Sequence, residues 1–308
     1  MRILITGGAG FIGSHLADQY LALGHEVILV DNLSTGQEKN INPQAKFYLL
    51  NISSPELEKV FALEKPDLVN HHAAQVSVPL SVRDPFTDLD TNAKGTLNIL
   101  ENCVKYQTQK IIFISSGGAI YGEANEYPTS ENYLPHPLSP YGIHKYLSEL
   151  YIFYYHQTSA INYTILRYAN VYGPRQVPHG EAGVVSIFIE QLLANTTPFL
   201  YAYPDTPDGM IRDYIFVDDV IRANVLALKR GDNQTINIGT GIATTTGQLL
   251  REIARQLKKP YQPLLGIQRP GDIKQSCLQV SHAEQELGWR AEFSLAEGIQ
   301  QTIRYYQA

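Results

Sequence analysis

Tyr141 and Lys145 stand four residues apart in the run Tyr-Gly-Ile-His-Lys, a spacing that puts a phenol and an ammonium on one face of a helix. A lysine beside a tyrosine favours the phenolate, so the pair predicts a tyrosine drawn toward neutrality and able to act as a base. Alone, the pattern is common. Here it opens a helical segment about 25 residues after Ser115 and Ser116, two hydroxyls ending a strand-like run.

A second constellation lies at the start. Gly7, Gly8, Ala9, Gly10, Phe11, Ile12 and Gly13 form a glycine-rich turn between a short apolar run and a helical segment. Gly7, Gly10 and Gly13 let the backbone turn sharply, and the N–H groups around Phe11 and Ile12 can then meet a pyrophosphate. Asp31 ends the next strand-like run, 18 residues after Gly13. A carboxylate there accepts hydrogen bonds from a ribose diol and repels a 2′-phosphate. No basic residue follows until Lys39, so the expected cofactor is NAD, not NADP.

The elements that carry these residues alternate. Strand-like runs at 2–6, 26–30, 46–50, 68–71 and 110–115 are separated by helical patterns at 11–23, 56–63 and 88–106, with Gly24 where a C-capping glycine would sit. This predicts an α/β fold built on a doubly wound parallel sheet with right-handed crossovers. Beyond about residue 170, prolines break the chain into shorter pieces. Helical patterns persist at 184–194, 217–229, 246–257, 282–287 and 295–305. Strand-like pieces at 213–216 and 235–238 are expected to return to the main sheet, making the second region an interleaved lobe.

The chain has 308 residues, 44% hydrophobic and 18% charged, which is ample for a core and unlike a disordered chain. With 24 basic against 30 acidic side chains the net charge is −6, and no basic run occurs. Neither a nucleic-acid surface nor a membrane span is expected, and the short N-terminal apolar run reads as a strand, not a signal peptide. Cys103 and Cys277 are far apart and lack metal-ligand spacing, as do the nine histidines. They read as core thiols of a reducing, cytoplasmic compartment, with no metal.

In this order, nucleotide turn, acidic anchor, serine-bearing strand end and Tyr/Lys helix give the chain a strong resemblance to the extended short-chain dehydrogenase/reductase superfamily. Within it, the chain resembles the UDP-galactose 4-epimerases and their relatives. The resemblance runs nearly end to end. It is carried by GGAGFIGSHL, Asp31-Asn32-Leu33, HHAAQVSV, TNAKGTLN, SSGGAIYG, SPYGIHK, RYANVYGPRQ, RDYIFVDDV, NIGTG, RPGD and LGW.

The resemblance implies a Rossmann-type NAD-binding domain over 1–170 and a nucleotide-sugar lobe mainly over 171–308. It implies NAD-dependent 4-epimerisation of a UDP-hexose through a transient 4-keto sugar. Tyr141 would be the base, and Lys145 would lower its pKa and hold the nicotinamide ribose. Asn32, Asn51 and Ile52 would lie on the adenosine side; Ala73, Ala74, Gln75, Asn92 and Tyr168 would frame the nicotinamide. Asn170, Tyr201, Arg212, Arg269 and Asp272 would hold the UDP-sugar, arginine forks suiting phosphates. Ser276 falls where some relatives carry a bulky tyrosine, which would leave room for an N-acetyl group and admit UDP-GlcNAc and UDP-GalNAc. Segments 88–106 and 141–158 resemble the family's homodimer elements.

The sequence departs from the family at one important point. The usual catalytic Ser/Thr position falls on Gly117, so Ser116, or Ser115 behind it, is expected to hold the sugar 4-oxygen through a shifted loop. Gly118 and Ala119 stand where related dehydratases and decarboxylases carry acids, which removes those chemistries. A UDP-glucuronate 4-epimerase is the alternative substrate reading. A non-catalytic NAD-sensing regulator is the alternative class, and the Tyr/Lys pair argues against it.

Overall fold

The computed structural model describes residues 1–178, 183–267 and 273–308. Six of the strands that build its main sheet are β1 (Arg2–Thr6), β2 (Glu26–Asp31), β3 (Lys46–Leu49), β4 (Leu68–His71), β5 (Lys110–Ser116) and β6 (Asn162–Tyr168). Further along come β7 (Asn170–Tyr172), β8 (Phe199–Ala202), β9 (Ile211–Phe216), β10 (Gln234–Ile238), β11 (Ala243–Thr245) and β12 (Leu264–Ile267). The main sheet is parallel and has the order β10-β6-β5-β4-β1-β2-β3. Its winding reverses between β1 and β4, where Thr6 pairs with both Val30 and His71. Open α/β sheets bind ligands in the crevice beyond the strand ends at such a point.

Burial on both faces is why the strands read as apolar runs. Ile3, Ile5, Val27 and Leu29 face one core with Leu16, Ala17 and Val220. Leu4, Ile28, Val69, Ile111 and Phe113 face the other, with Phe61, Ile99 and Ile152. Each such side chain, fully buried, contributes roughly 1.5–3 kcal/mol relative to exposure.

Two expectations change. The segment at 213–216 does not return to the main sheet: β9 pairs with β7 and β11 in a separate three-stranded sheet, and only β10 returns, beside β6. The buried Asp213 carboxylate explains the detour, because it accepts the N–H groups of Thr240 and Gly241 and the Thr240 hydroxyl. This ties β9 to the segment that follows β10. The helix expected at 88–106 is also broken, into Pro85–Asp88, a π turn at Leu89–Lys94 and Gly95–Lys105.

Candidate active site

The glycine turn closes as its residue types require. Gly7 sits at φ +69, and a Cβ on Gly13 would lie 2.2 Å from the Gly7 carbonyl oxygen. Gly10 begins the helix Phe11–Ala22 with no side-chain cap, so the N–H groups of the first turn face outward as an anion-binding end. Asp31 is buried at the end of β2 and accepts the N–H groups of Ala9 at 3.0 Å and Leu33 at 2.8 Å. A cavity runs from Asp31, Ser34, Thr35 and Asn40 past Gly7, Gly10, Phe11, Ile12 and Gly13 to His72, Ala74, Ser116, Tyr141, Lys145 and Tyr168. Two buried polar atoms on its walls, His72 Nε2 and Ser115 Oγ, have no hydrogen-bond partner among the described residues. The glycine cradle, uncapped helix end, strand-end carboxylate and unpaired polar atoms fit a dinucleotide.

Not every expected cofactor residue lines this cavity. Asn32 and Asn51 are exposed, and each caps a local turn, accepting the N–H of Ser34 and Ser53 respectively. Ile52 is buried against Gly95. Asn92 faces inward, donating to the Gln75 carbonyl and accepting the Gln75 N–H, both at 2.9 Å, so it clamps the loop that carries Ala73, Ala74 and Gln75.

The helix Pro140–Ser159 starts on Ser139, whose hydroxyl accepts the Gly142 N–H. Its first turn brings Tyr141 over the end of β5, where it and Ser116 line both cavities of the site. Lys145 is buried, donates to the Ile114 carbonyl at 2.9 Å and lies 5.0 Å from the centre of the Phe113 ring. The expected drop in the Tyr141 pKa does not appear. Burial pushes the phenol up to about 12; the Ser116 hydroxyl draws it down and the Asp88 charge pushes it up. Burial likewise brings Lys145 down to about 8.

A second cavity continues from Ser116, Gly118 and Tyr141 into the smaller lobe, bounded by Asn170, Leu200, Tyr201, Met210 and Arg212. A Cβ on Gly118 would stand 3.5 Å from Asn170 Oδ1 and 3.9 Å from Ser116 Oγ, so a side chain there would be in ordinary contact with both groups. Tyr201 stacks on Phe199 with ring centres 6.4 Å apart. Arg212 donates to the Ile211 carbonyl and approaches Met210. Ser276 is buried beside it, its N–H on the Ile211 carbonyl, and is not on the cavity wall. Arg269 and Asp272 lie outside the described residues.

Sequence reasoning missed Tyr214. It lies on β9 opposite Asn170, borders both cavities, and its buried hydroxyl has no partner among the described residues. The motif RDYIFVDDV contains it, but an aromatic in a strand reads first as core.

Sheet reversal, glycine turn and a Tyr/Lys helix over a serine-bearing strand end define a dinucleotide-dependent enzyme of the extended short-chain dehydrogenase/reductase type. Residues 3–239 match the NAD dependent epimerase/dehydratase family, and the chain belongs to it. A putative UDP-glucose 4-epimerase of Methanocaldococcus jannaschii is 44% identical over 304 residues, covering 98% of this chain and 97% of the relative. The crystal structure of a Thermotoga maritima UDP-glucose 4-epimerase with UDP-glucose is 47% identical, with a TM-score of 0.96 over 100% of this chain and 99% of that one. A Thermus thermophilus UDP-glucose 4-epimerase in complex with NAD is 42% identical, with a TM-score of 0.95 and the same coverage.

Proposed function

We propose that this chain interconverts UDP-glucose and UDP-galactose by NAD-dependent 4-epimerisation. The observation that carries the reading is the meeting of Tyr141 and Ser116 where the dinucleotide and lobe cavities join. End-to-end similarity to UDP-glucose 4-epimerases supports the substrate.

Asp31 and the first turn of Phe11–Ala22 would hold NAD at its adenosine ribose and pyrophosphate, with Lys145 and Tyr168 at the nicotinamide end. Bound there, NAD supplies a reversible hydride acceptor. Tyr141, ionised to the phenolate, takes the proton from the sugar 4-hydroxyl, and Ser116 donates to the same oxygen as it becomes a carbonyl. Asn170 and Arg212 hold the diphosphate and the sugar, leaving the 4-keto ring free to present either face. Tyr141 then returns its proton, so one acid/base group serves both directions.

Ser276 is buried off the cavity wall, so turnover of UDP-GlcNAc as well rests on the resemblance alone. Exposed Leu89, Val104, Leu150 and Tyr154 on segments 88–106 and 141–158 support a homodimer through these helices, since apolar stripes of this kind favour association. Two buried free thiols suit a cytoplasmic protein.

The test is incubation of the purified protein with UDP-glucose, UDP-GlcNAc and UDP-glucuronate in separate reactions, with and without added NAD. Product from UDP-glucose supports the reading, and product from UDP-GlcNAc supports the wider substrate range. Product from UDP-glucuronate alone overturns the substrate. Absence of turnover with NAD supplied overturns the reaction.

A further inference from the structure

Asp88 is fully buried at the end of the short helix Pro85–Asp88, and its carboxylate joins three separate elements. His144 Nδ1, on the Tyr141 helix, lies 2.6 Å from Oδ1. Gln75 Nε2, in the loop after β4, donates to Oδ2 at 2.6 Å, and Asn92 Nδ2, in the π turn, donates at 3.1 Å. Gln75 is held in turn by Asn92 through its own backbone and by Ser77 through its side chain. The Asn92 carbonyl also accepts the Ser148 hydroxyl, one turn beyond His144.

We propose that Asp88 and His144 are a positioning pair for Tyr141, fixing the helix that carries it against the loop after β4 and setting the charge around its phenol. This rests on the epimerase reading for what Tyr141 does.

A tie between helices needs no charge. A buried carboxylate is expensive unless well partnered, and an apolar contact of similar volume is often as stable. The charge therefore calls for another use, and its neighbours supply one. Asp88 acts on Tyr141 and Lys145 from the short helix; Glu149 acts on Lys145 from one turn further along their own helix; His71 and His72 face Lys145 from the end of β4 and the residue after it. Of these, Asp88 is the charge that acts on the Tyr141 phenol, and it holds the proton on. The π turn at Leu89–Lys94 brings Asp88 and Asn92 inward together, four residues apart, and such turns recur at functional sites.

The experiment measures kcat and KM for UDP-glucose across pH in wild type, Asp88→Asn, His144→Leu and His144→Asn. Tyr141 acts as a base, so kcat rises with pH as it ionises. Removing the Asp88 charge should move that limb to lower pH by the order of half a unit to one unit. His144→Leu should lower kcat about tenfold with KM little changed, and His144→Asn, which keeps a donor at the Nδ1 position, should restore most of it. An unmoved limb in Asp88→Asn, or equal impairment of both His144 variants, overturns the proposal. Should wild type turn over no UDP-sugar, the epimerase reading fails separately. The pair is then judged by phenolate absorbance titrated against Tyr141→Phe, where Asp88→Asn must again shift Tyr141 to lower pH.

Discussion

A Cβ on Gly117 would lie 2.6 Å from Cδ1 of Leu278 and 3.3 Å from the Arg167 carbonyl oxygen. Leu278 is itself buried against Ile120 and Tyr121, so it has little room to give. The glycine at the family's usual serine position is therefore a packing requirement of this chain. Gly117→Ser should destabilise by about 1–3 kcal/mol without raising activity, and Leu278→Ala in the same chain should recover part of the loss. Urea unfolding of the two variants beside wild type tests this; a Gly117→Ser protein as stable as wild type defeats it.

With Gly117 closed to side chains, the proposed donor is Ser116, which borders both cavities, whereas Ser115 borders only the dinucleotide one. Ser116→Ala should lower kcat by about 10²–10³-fold, the usual effect of losing one donor to a developing oxyanion. Tyr141→Phe should lower it by about 10²–10⁴-fold. Neither should change UDP-sugar binding by more than a few-fold, because Asn170 and Arg212 are untouched. Steady-state kinetics with binding measured separately distinguishes the two parameters, and an active Tyr141→Phe protein would remove the proposed base.

The glycine turn, Asp31 and the Tyr/Lys helix were legible because local backbone geometry and strand order alone bring them together. Asn92 reads from the sequence as a residue of the nicotinamide end, but its clamp on the Gln75 backbone was not legible, because an asparagine in a helical pattern gives no sign of which way a π turn will rotate it. The fate of β9 was equally hidden: its apolar run suits either sheet, and the choice rests on Asp213 capturing backbone N–H groups from residues 240–241. The Tyr141 pKa failed for another physical reason. Spacing predicts proximity to Lys145, whereas burial, the largest influence on both groups, depends on the whole tertiary structure.

Asp31 has two partners that any substitution must leave behind. Its carboxylate accepts the Ala9 and Leu33 N–H groups, and it faces the space where a ribose diol would sit. Asp31→Ala should weaken NAD binding about tenfold or more, the loss of about 1.4 kcal/mol, and reduce discrimination against NADP. Equilibrium dialysis of both dinucleotides checks this. Unchanged affinity would leave Asp31 as a turn cap alone.

The phenols of Tyr141 and Tyr121 are both held at about 12 by burial, above the ordinary value of about 10. The fold thus favours the neutral phenol. That contribution is complete below pH about 10 and is lost as pH rises through about 12. Urea midpoints should therefore be free of this effect near neutrality and fall between these limits. For Tyr141→Phe the alkaline fall should be shallower than for wild type. A parallel decline in both proteins would show that Tyr141 ionises no differently in the folded and unfolded chain.

Glu149 and Arg167 form a two-pronged ion pair inside the protein, Nε to Oε1 at 3.0 Å and Nη2 to Oε2 at 2.6 Å, with Glu149 fully buried. Arg167 Nη1 also donates to the Tyr121 hydroxyl at 2.9 Å, and Tyr121 donates to Asn237 on β10. The pair thus joins the Tyr141 helix to β6, whose last residue, Tyr168, borders the same cavity as Tyr141. Glu149→Ala strands a buried guanidinium and should cost about 3–5 kcal/mol. Changing both partners to methionine should cost less than Glu149→Ala alone, since no charge is left unpaired. If the double variant folds stably yet turns over slowly with normal substrate binding, the ion pair sets the alignment of helix and strand more than it stabilises the fold. If it is as active as wild type, packing alone holds Tyr141 and Tyr168 in register.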